Sequence, residues 1–224
     1  MKTAIVLFAD TPLLEQAGMS LKTTFPASTR LRLYTDYMHD SISYFNKLGV
    51  DFWLTCEESF QETLLEQHFP EIKGCRVVNG DMGKKLTILT DYFLNLQEYD
   101  YVTFLFQPFT FFWEEQKALV EKSFRRTARS VVLLTDESSS TLHSLTVSFP
   151  FSKLYEDIIW ERANRYKQIK DHCEDVGIPC KRVKISNAIL KAEETLPTGL
   201  EKQLSMEYLS LYRNICIALN KKNS

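Results

Sequence analysis

Ala4-Ile5-Val6-Leu7-Phe8-Ala9 is an unbroken apolar run of strand length close to the start of the chain. A strand with one wet face alternates apolar and polar residues. A continuous run marks a strand covered on both faces, as in parallel sheets layered between helices. Leu31, Tyr34, Met38, Ile42, Phe45 and Leu48 follow at three- and four-residue spacing, predicting a helix closed by a left-handed cap at Gly49. Val50 to Cys56 reads as a second strand, Glu62 to Phe69 as a short helix, and Arg76 to Val78 as a third strand. Met82, Leu86, Leu89, Phe93 and Leu96 then mark a helical stripe, with Asp81 placed as its N-cap.

The same alternation continues. Tyr101 to Phe106 is a predicted strand, Glu114 to Arg126 a helix and Ser130 to Leu134 a strand. Leu142 to Val147 reads as a strand running back, Phe151 to Ile159 and Glu161 to Val176 as helices, and Cys180 to Ile185 as a last strand. Strands alternating with helices imply an α/β fold in three layers, a mostly parallel mixed sheet between helices. Residues 1–185 form that domain, and residues 186–224 are expected to add a connection and an amphipathic helix packed on it, carrying Leu200, Leu204, Tyr208, Leu211, Ile215 and Leu219.

Composition narrows the classes of function. Of 224 residues, 44% are hydrophobic and 25% charged, enough apolar surface for a core and too much for a disordered chain. With 27 basic and 29 acidic side chains the formal charge is -2, which removes any bulk attraction to nucleic acid or anionic membrane. No window is long and apolar enough to span a bilayer, and the first apolar run is shorter than the roughly 7–15 residues of a secretory core. The five cysteines form no C-x-x-C pair, so reduced thiols in a cytoplasmic protein are expected. The four histidines lack metal-ligand spacing and read as surface or half-buried residues. No P-loop, G-x-G-x-x-G or G-x-S-x-G occurs. Lys181, Arg182 and Lys184 read as exposed charges on an edge strand.

In open sheets of this kind ligands bind beyond the carboxyl ends of the strands, which directs attention to four loops: Asp10 to Ser28, Asn79 to Gly83, Gln107 to Trp113 and Thr135 to Thr141. Gly80-Asp81-Met82-Gly83-Lys84-Lys85-Leu86 is similar to the G-D-L-G-x-R-M motif of a bacterial glycosyltransferase-like family. That family has the glycosyltransferase-A fold and is related to nucleotide-diphospho-sugar transferases. The resemblance runs from about Lys2 to Ile185. It includes Pro12 and Leu21 of the first-loop stretch Asp10 to Leu21, and the Leu154-Tyr155-Glu156-Asp157-Ile158-Ile159-Trp160 stretch.

The resemblance implies a nucleotide-sugar site whose charges are largely altered here. Asp10, Pro12, Gly80, Asp81, Gly83, Lys85 and Gln107 occupy its nucleotide-binding positions, but the first loop lacks the basic residues that would meet a diphosphate. Lysine at position 85 is a point charge where the family has the bidentate fork of arginine. The Gly80 to Lys85 motif reads equally as a plain capped helix start. Gln107 stands where the family has a metal-binding aspartate, and an amide cannot balance the charge of Mg²⁺ or Mn²⁺ on a diphosphate. The family's D-G-G-Y segment is Asp136-Glu137-Ser138-Ser139-Ser140 here, so Asp136 and Glu137 are the metal candidates, or else part of a solvated turn. The aromatic run Phe109 to Trp113 reads as core, as a contact surface through which copies of the chain associate, or as a stacking platform.

The expected function is that of a divergent nucleotide-diphospho-sugar transferase-like protein with a weakened or lost metal and diphosphate site, taking a nucleotide sugar. A non-catalytic binding or assembly module on the same fold is the alternative. A sugar-phosphate nucleotidyltransferase, which needs a glycine-rich basic first loop, is a third.

Overall fold

A computed structural model describes residues 1–9, 35, 38–39, 41–106, 129–136, 142–160 and 165–185. Among the described residues, seven strands form one sheet: β1 (Thr3–Phe8), β2 (Asp51–Cys56), β3 (Gly74–Val77), β4 (Tyr101–Leu105), β5 (Val131–Asp136), β6 (Leu142–Val147) and β7 (Cys180–Ile185). Their spatial order is β3-β2-β1-β4-β6-β5-β7. All run parallel except β6, which pairs antiparallel with both β4 and β5. The expected mixed, mostly parallel sheet is what forms.

Helices cover both faces. Helix α1 (41–47) ends as its sequence dictates: Gly49 takes φ +68, its N–H bonds to the Asn46 carbonyl, and the Val50 N–H reaches the Phe45 carbonyl. Helix α1 and α2 (Ser59–His68) bury Ile42, Phe45 and Leu65 with Ile5, Leu7, Phe52 and Leu54 of the sheet. On the opposite face, α3 (Met82–Asp91) and α4 (Arg165–Asp175) bury Leu86, Leu89, Ile169 and Cys173 against Ala4, Val6, Phe104, Leu133 and Leu145. Alternate residues of β1 thus serve two cores, which is why that strand is apolar throughout.

Three local expectations change. Leu96 belongs to the predicted apolar stripe yet is 68% exposed. Residues Tyr92–Leu96 wind as a π-helical turn after α3, and the extra residue per turn rotates Leu96 off the buried face while Phe93 stays in it. Phe151 to Ile159 is not a helix: after Pro150 comes only the 3₁₀ turn Ser152–Leu154, and Asp157 adopts φ +57. Leu154, Tyr155 and Ile158 are spaced like a helix face because all three are buried against α3 and its neighbours. Arg182 is also no free edge charge, since its Nε donates to Thr135 Oγ1 at 2.7 Å and its guanidinium lies over the Tyr166 ring.

The predicted helix 114–126, the aromatic run Phe109 to Trp113 and the whole C-terminal connection and helix lie outside the described residues. Among the described residues, no helix is long and apolar enough to cross a membrane. Nor do any three or more His, Cys, Asp and Glu side chains among them gather as a metal site would require.

Candidate functional site

From β1 the chain passes to β2 on one side, and from β4 toward β6 and β5 on the other. The carboxyl ends of β1 and β4, adjacent and parallel, therefore form the point of divergence at which such sheets hold ligands. Aromatic rings floor this point. Phe8 ends β1 and Phe106 directly follows β4, both half-buried. Their rings stack with centroids 5.8 Å apart and planes within 1°. Trp160 extends the row, its ring 5.9 Å from that of Phe106. Phe106 is fixed by its N–H, which donates to the His143 carbonyl at the start of β6.

One flank is the turn from β3 into α3. Gly80 takes φ +122, and a Cβ there would come within 2.8 Å of Lys84 Cδ, so this turn requires glycine. Asp81 then caps α3, its Oδ1 accepting from the Lys84 N–H at 2.8 Å. Gly83 is buried, and a Cβ on it would meet the Tyr155 carbonyl oxygen at 2.8 Å and both Asp81 Oδ1 and Trp160 Nε1 at 3.4 Å. The close approach that Gly83 permits is therefore that of the 152–160 segment to α3. Tyr155 is locked under this contact by a 2.8 Å hydrogen bond with Thr90 Oγ1, and burial pushes its phenol well above the ordinary range.

Lys85, the cation expected to meet a phosphate, is engaged. Its ammonium donates to Glu57, the exposed residue immediately after β2, while the lysine side chain itself is only 13% exposed. Sequence reasoning missed Glu57: it lies 28 positions away on another element, and only the parallel pairing of β2 and β3 carries the two together.

The site residues expected from sequence divide in two. Gly80, Asp81, Gly83 and Lys85 come together at the start of α3. Asp136 is the last residue of β5, one residue beyond Thr135, where the pairing of β5 with β6 shifts register. It is separated from β4 by β6, roughly 10 Å at ordinary strand spacing. Asp10, Pro12, Gln107 and Glu137 lie outside the described residues.

The cysteines are less scattered than the sequence suggests. Cys56 and Cys75, on neighbouring strands, bring their sulfurs to 3.7 Å. The hydrogen bond with Cys56, together with burial, pushes the Cys75 thiol up. Cys173 and Cys180 form a second such pair across α4 and β7. All four are free thiols.

Between the first turns of α3 and the 152–160 segment opens a groove of about 660 Å³. Asp81, Gly83 and Lys84 line one wall, Glu156, Asp157 and Trp160 the other, with Ile88 and Ile159 farther along.

The chain has the fold of the nucleotide-diphospho-sugar transferases. It is similar to a candidate nucleotide-diphospho-sugar transferase from Desulfovibrio desulfuricans G20, with 13% identity, a TM-score of 0.73, and coverage of 96% of this chain and 95% of that one. It is also similar to 4-diphosphocytidyl-2C-methyl-D-erythritol synthase from Anaerococcus prevotii DSM 20548, with 11% identity, a TM-score of 0.50, and 82% and 86% coverage. No protein-family model matches the chain. No curated protein matches its sequence. The likeness therefore lies in the fold, and activity has to be argued from the site.

Proposed function

We infer that this chain is a divergent nucleotide-diphospho-sugar transferase-like protein that takes a nucleotide or nucleotide sugar at the carboxyl ends of β1 and β4 and grips its diphosphate weakly. The observation that carries this reading is the ion pair between Lys85 and Glu57. A diphosphate arriving at Lys85 meets a cation already neutralised and a carboxylate beside it, so much of the Coulomb gain is cancelled. The aromatic floor of Phe8 and Phe106 supports the same reading, because it offers a planar base a stacking surface and offers a phosphate nothing.

A divalent cation in this reading would be held by Asp136 and Glu137. Gln107 would add an amide oxygen without charge, so a Mg²⁺ or Mn²⁺ ion would be held loosely. Such an ion would supply charge neutralisation to the diphosphate. The protein's own residues supply the Gly80 turn, the α3 N-terminus and the stacked rings.

Calorimetric titration with UDP and GDP, with and without Mn²⁺, tests the reading. Weak binding with little metal dependence is expected for the natural chain. Glu57→Gln, which leaves the Lys85 ammonium unopposed, should tighten binding about threefold to tenfold, or roughly 0.7–1.4 kcal/mol. Tight, strictly Mn²⁺-dependent binding by the unaltered chain would overturn it, as would a Glu57→Gln variant with unchanged affinity.

A further inference from the structure

Two cysteines at the carboxyl end of β2 and in β3 carry a chemistry that nucleotide binding does not use. Cys56 is the last residue of β2 and Cys75 the second of β3, and both thiols are free. Their sulfurs stand 3.7 Å apart, a hydrogen-bonding contact in which either can donate, and Cys56 Sγ also lies 3.5 Å from the Glu58 carbonyl oxygen at the N-cap of α2. The contact makes the pair unequal: it holds the Cys56 thiol down and pushes the Cys75 thiol up. Cys56 is therefore the better nucleophile. Each cysteine is 5% exposed, an opening that a small oxidant can use.

The strand register decides what bond formation would do. Cys75 pairs with Leu54 and Cys56 with Val77, so the two are diagonal neighbours in one core cluster. Diagonal Cα atoms are roughly 7–8 Å apart, beyond the span of about 4.4–6.8 Å that a disulfide bridges. The bond closes when one strand slides, and β3 is the strand placed to do so. It has four residues, lies at the sheet edge and, among the described residues, pairs with β2 alone. Sliding Cys75 toward the level of Cys56 carries the end of β3 forward, into the Gly80 turn and the Asp81 cap of α3. Glu57, the partner of Lys85, follows Cys56 directly.

We propose that Cys56 and Cys75 form a redox switch, closing to a disulfide under a hydroperoxide and displacing the Gly80 turn. The Cys56 thiolate attacks the terminal peroxide oxygen, giving a sulfenic acid and an alkoxide, which takes up the proton that the thiol released. The Cys75 sulfur then attacks the Cys56 sulfur, the S–S bond forms and water leaves. Two thiols thus lose two electrons while one hydroperoxide becomes an alcohol and water. A small dithiol reverses the step by exchange and is itself oxidised to a disulfide. The switch does not depend on the transferase reading, and a failure of UDP or GDP to bind leaves it standing.

The test treats the reduced full chain with hydrogen peroxide, alkylates the remaining thiols and digests it without reductant. Trypsin cuts after Lys47, Lys73 and Arg76, which places the two cysteines on separate peptides. The expected product is residues 48–73 joined to residues 74–76, lighter than the sum of the free peptides by a pair of hydrogens and lost on adding dithiothreitol. In the ¹⁵N-labelled chain the same oxidation should shift the amide signals of Gly80 and Lys85, and dithiothreitol should return them. Cys75→Ser should lose both the linked peptide and the Gly80 shift, and Cys75→Ala serves if the serine variant does not fold. Recovery of both cysteines as alkylated thiols overturns the proposal, as does Cys56 driven to sulfinic acid with Cys75 still reduced. So does a linked peptide formed without movement of the Gly80 signal, or a Gly80 shift that persists in a folded Cys75 variant.

Discussion

Asp81 shows how far a single residue can be read from sequence. Its place before an apolar helical stripe predicted a cap, and its carboxylate does accept the Lys84 N–H. Only local geometry is involved, over three residues. Asp81→Ala should therefore destabilise the fold by about 1 kcal/mol, the usual effect of losing a carboxylate cap, measurable as a lower urea midpoint with an unchanged slope. Lys85, four positions on, was legible as a cation and illegible as half of an ion pair. Its charge is a property of the sequence, but its partner Glu57 is fixed by strand pairing. Trp160 is similar: the sequence marked it as part of a fold-defining stretch, while the stranded Nε1 follows only from how that stretch packs on Gly83.

Elements were legible where periodicity was long and uninterrupted, and less so where the backbone departs from an ideal period. In α3 the predicted stripe holds through Leu86 and Leu89 and survives the π turn at Phe93. It then fails at Leu96, because residue spacing carries no sign of a local change in winding. This difference can be measured. Phe93→Ala should cost about 3–5 kcal/mol, the range for emptying a buried aromatic site. Leu96→Glu, at a position 68% exposed, should stay within about 0.5 kcal/mol of the natural chain in the same denaturation series. If Leu96→Glu proved as damaging as Phe93→Ala, the π turn would not be the geometry in solution. The 152–160 segment errs in the other direction: helix-like spacing there records burial against α3 from an irregular backbone, and that irregularity makes the groove.

At the scale of the whole molecule, the alternating elements and the returning strand Leu142–Val147 were readable, but the insertion of β6 between β4 and β5 was not. Which strands become neighbours is decided by packing across the finished sheet, and no local pattern encodes it. The same global packing encloses Tyr155, whose hydroxyl is hydrogen-bonded to Thr90 and whose phenol is pushed above its ordinary value of 10.0 chiefly by burial. The consequence is a stability that depends on pH in the alkaline range. Below pH 10 the tyrosine is protonated in both folded and unfolded chains, and its contribution is fully present. Above pH 10 the unfolded chain releases the proton while the folded chain retains it, so stability falls as pH rises toward the folded pKa. The slope from this one group is about 1.4 kcal/mol per pH unit. Urea unfolding between pH 8 and pH 11 should thus show a plateau followed by a decline. Tyr155→Phe should be less stable at pH 8, where Thr90 loses its partner, and should decline more gently above pH 10. Parallel declines in the two proteins would mean that Tyr155 titrates normally and that the wall between α3 and the 152–160 segment is open to water.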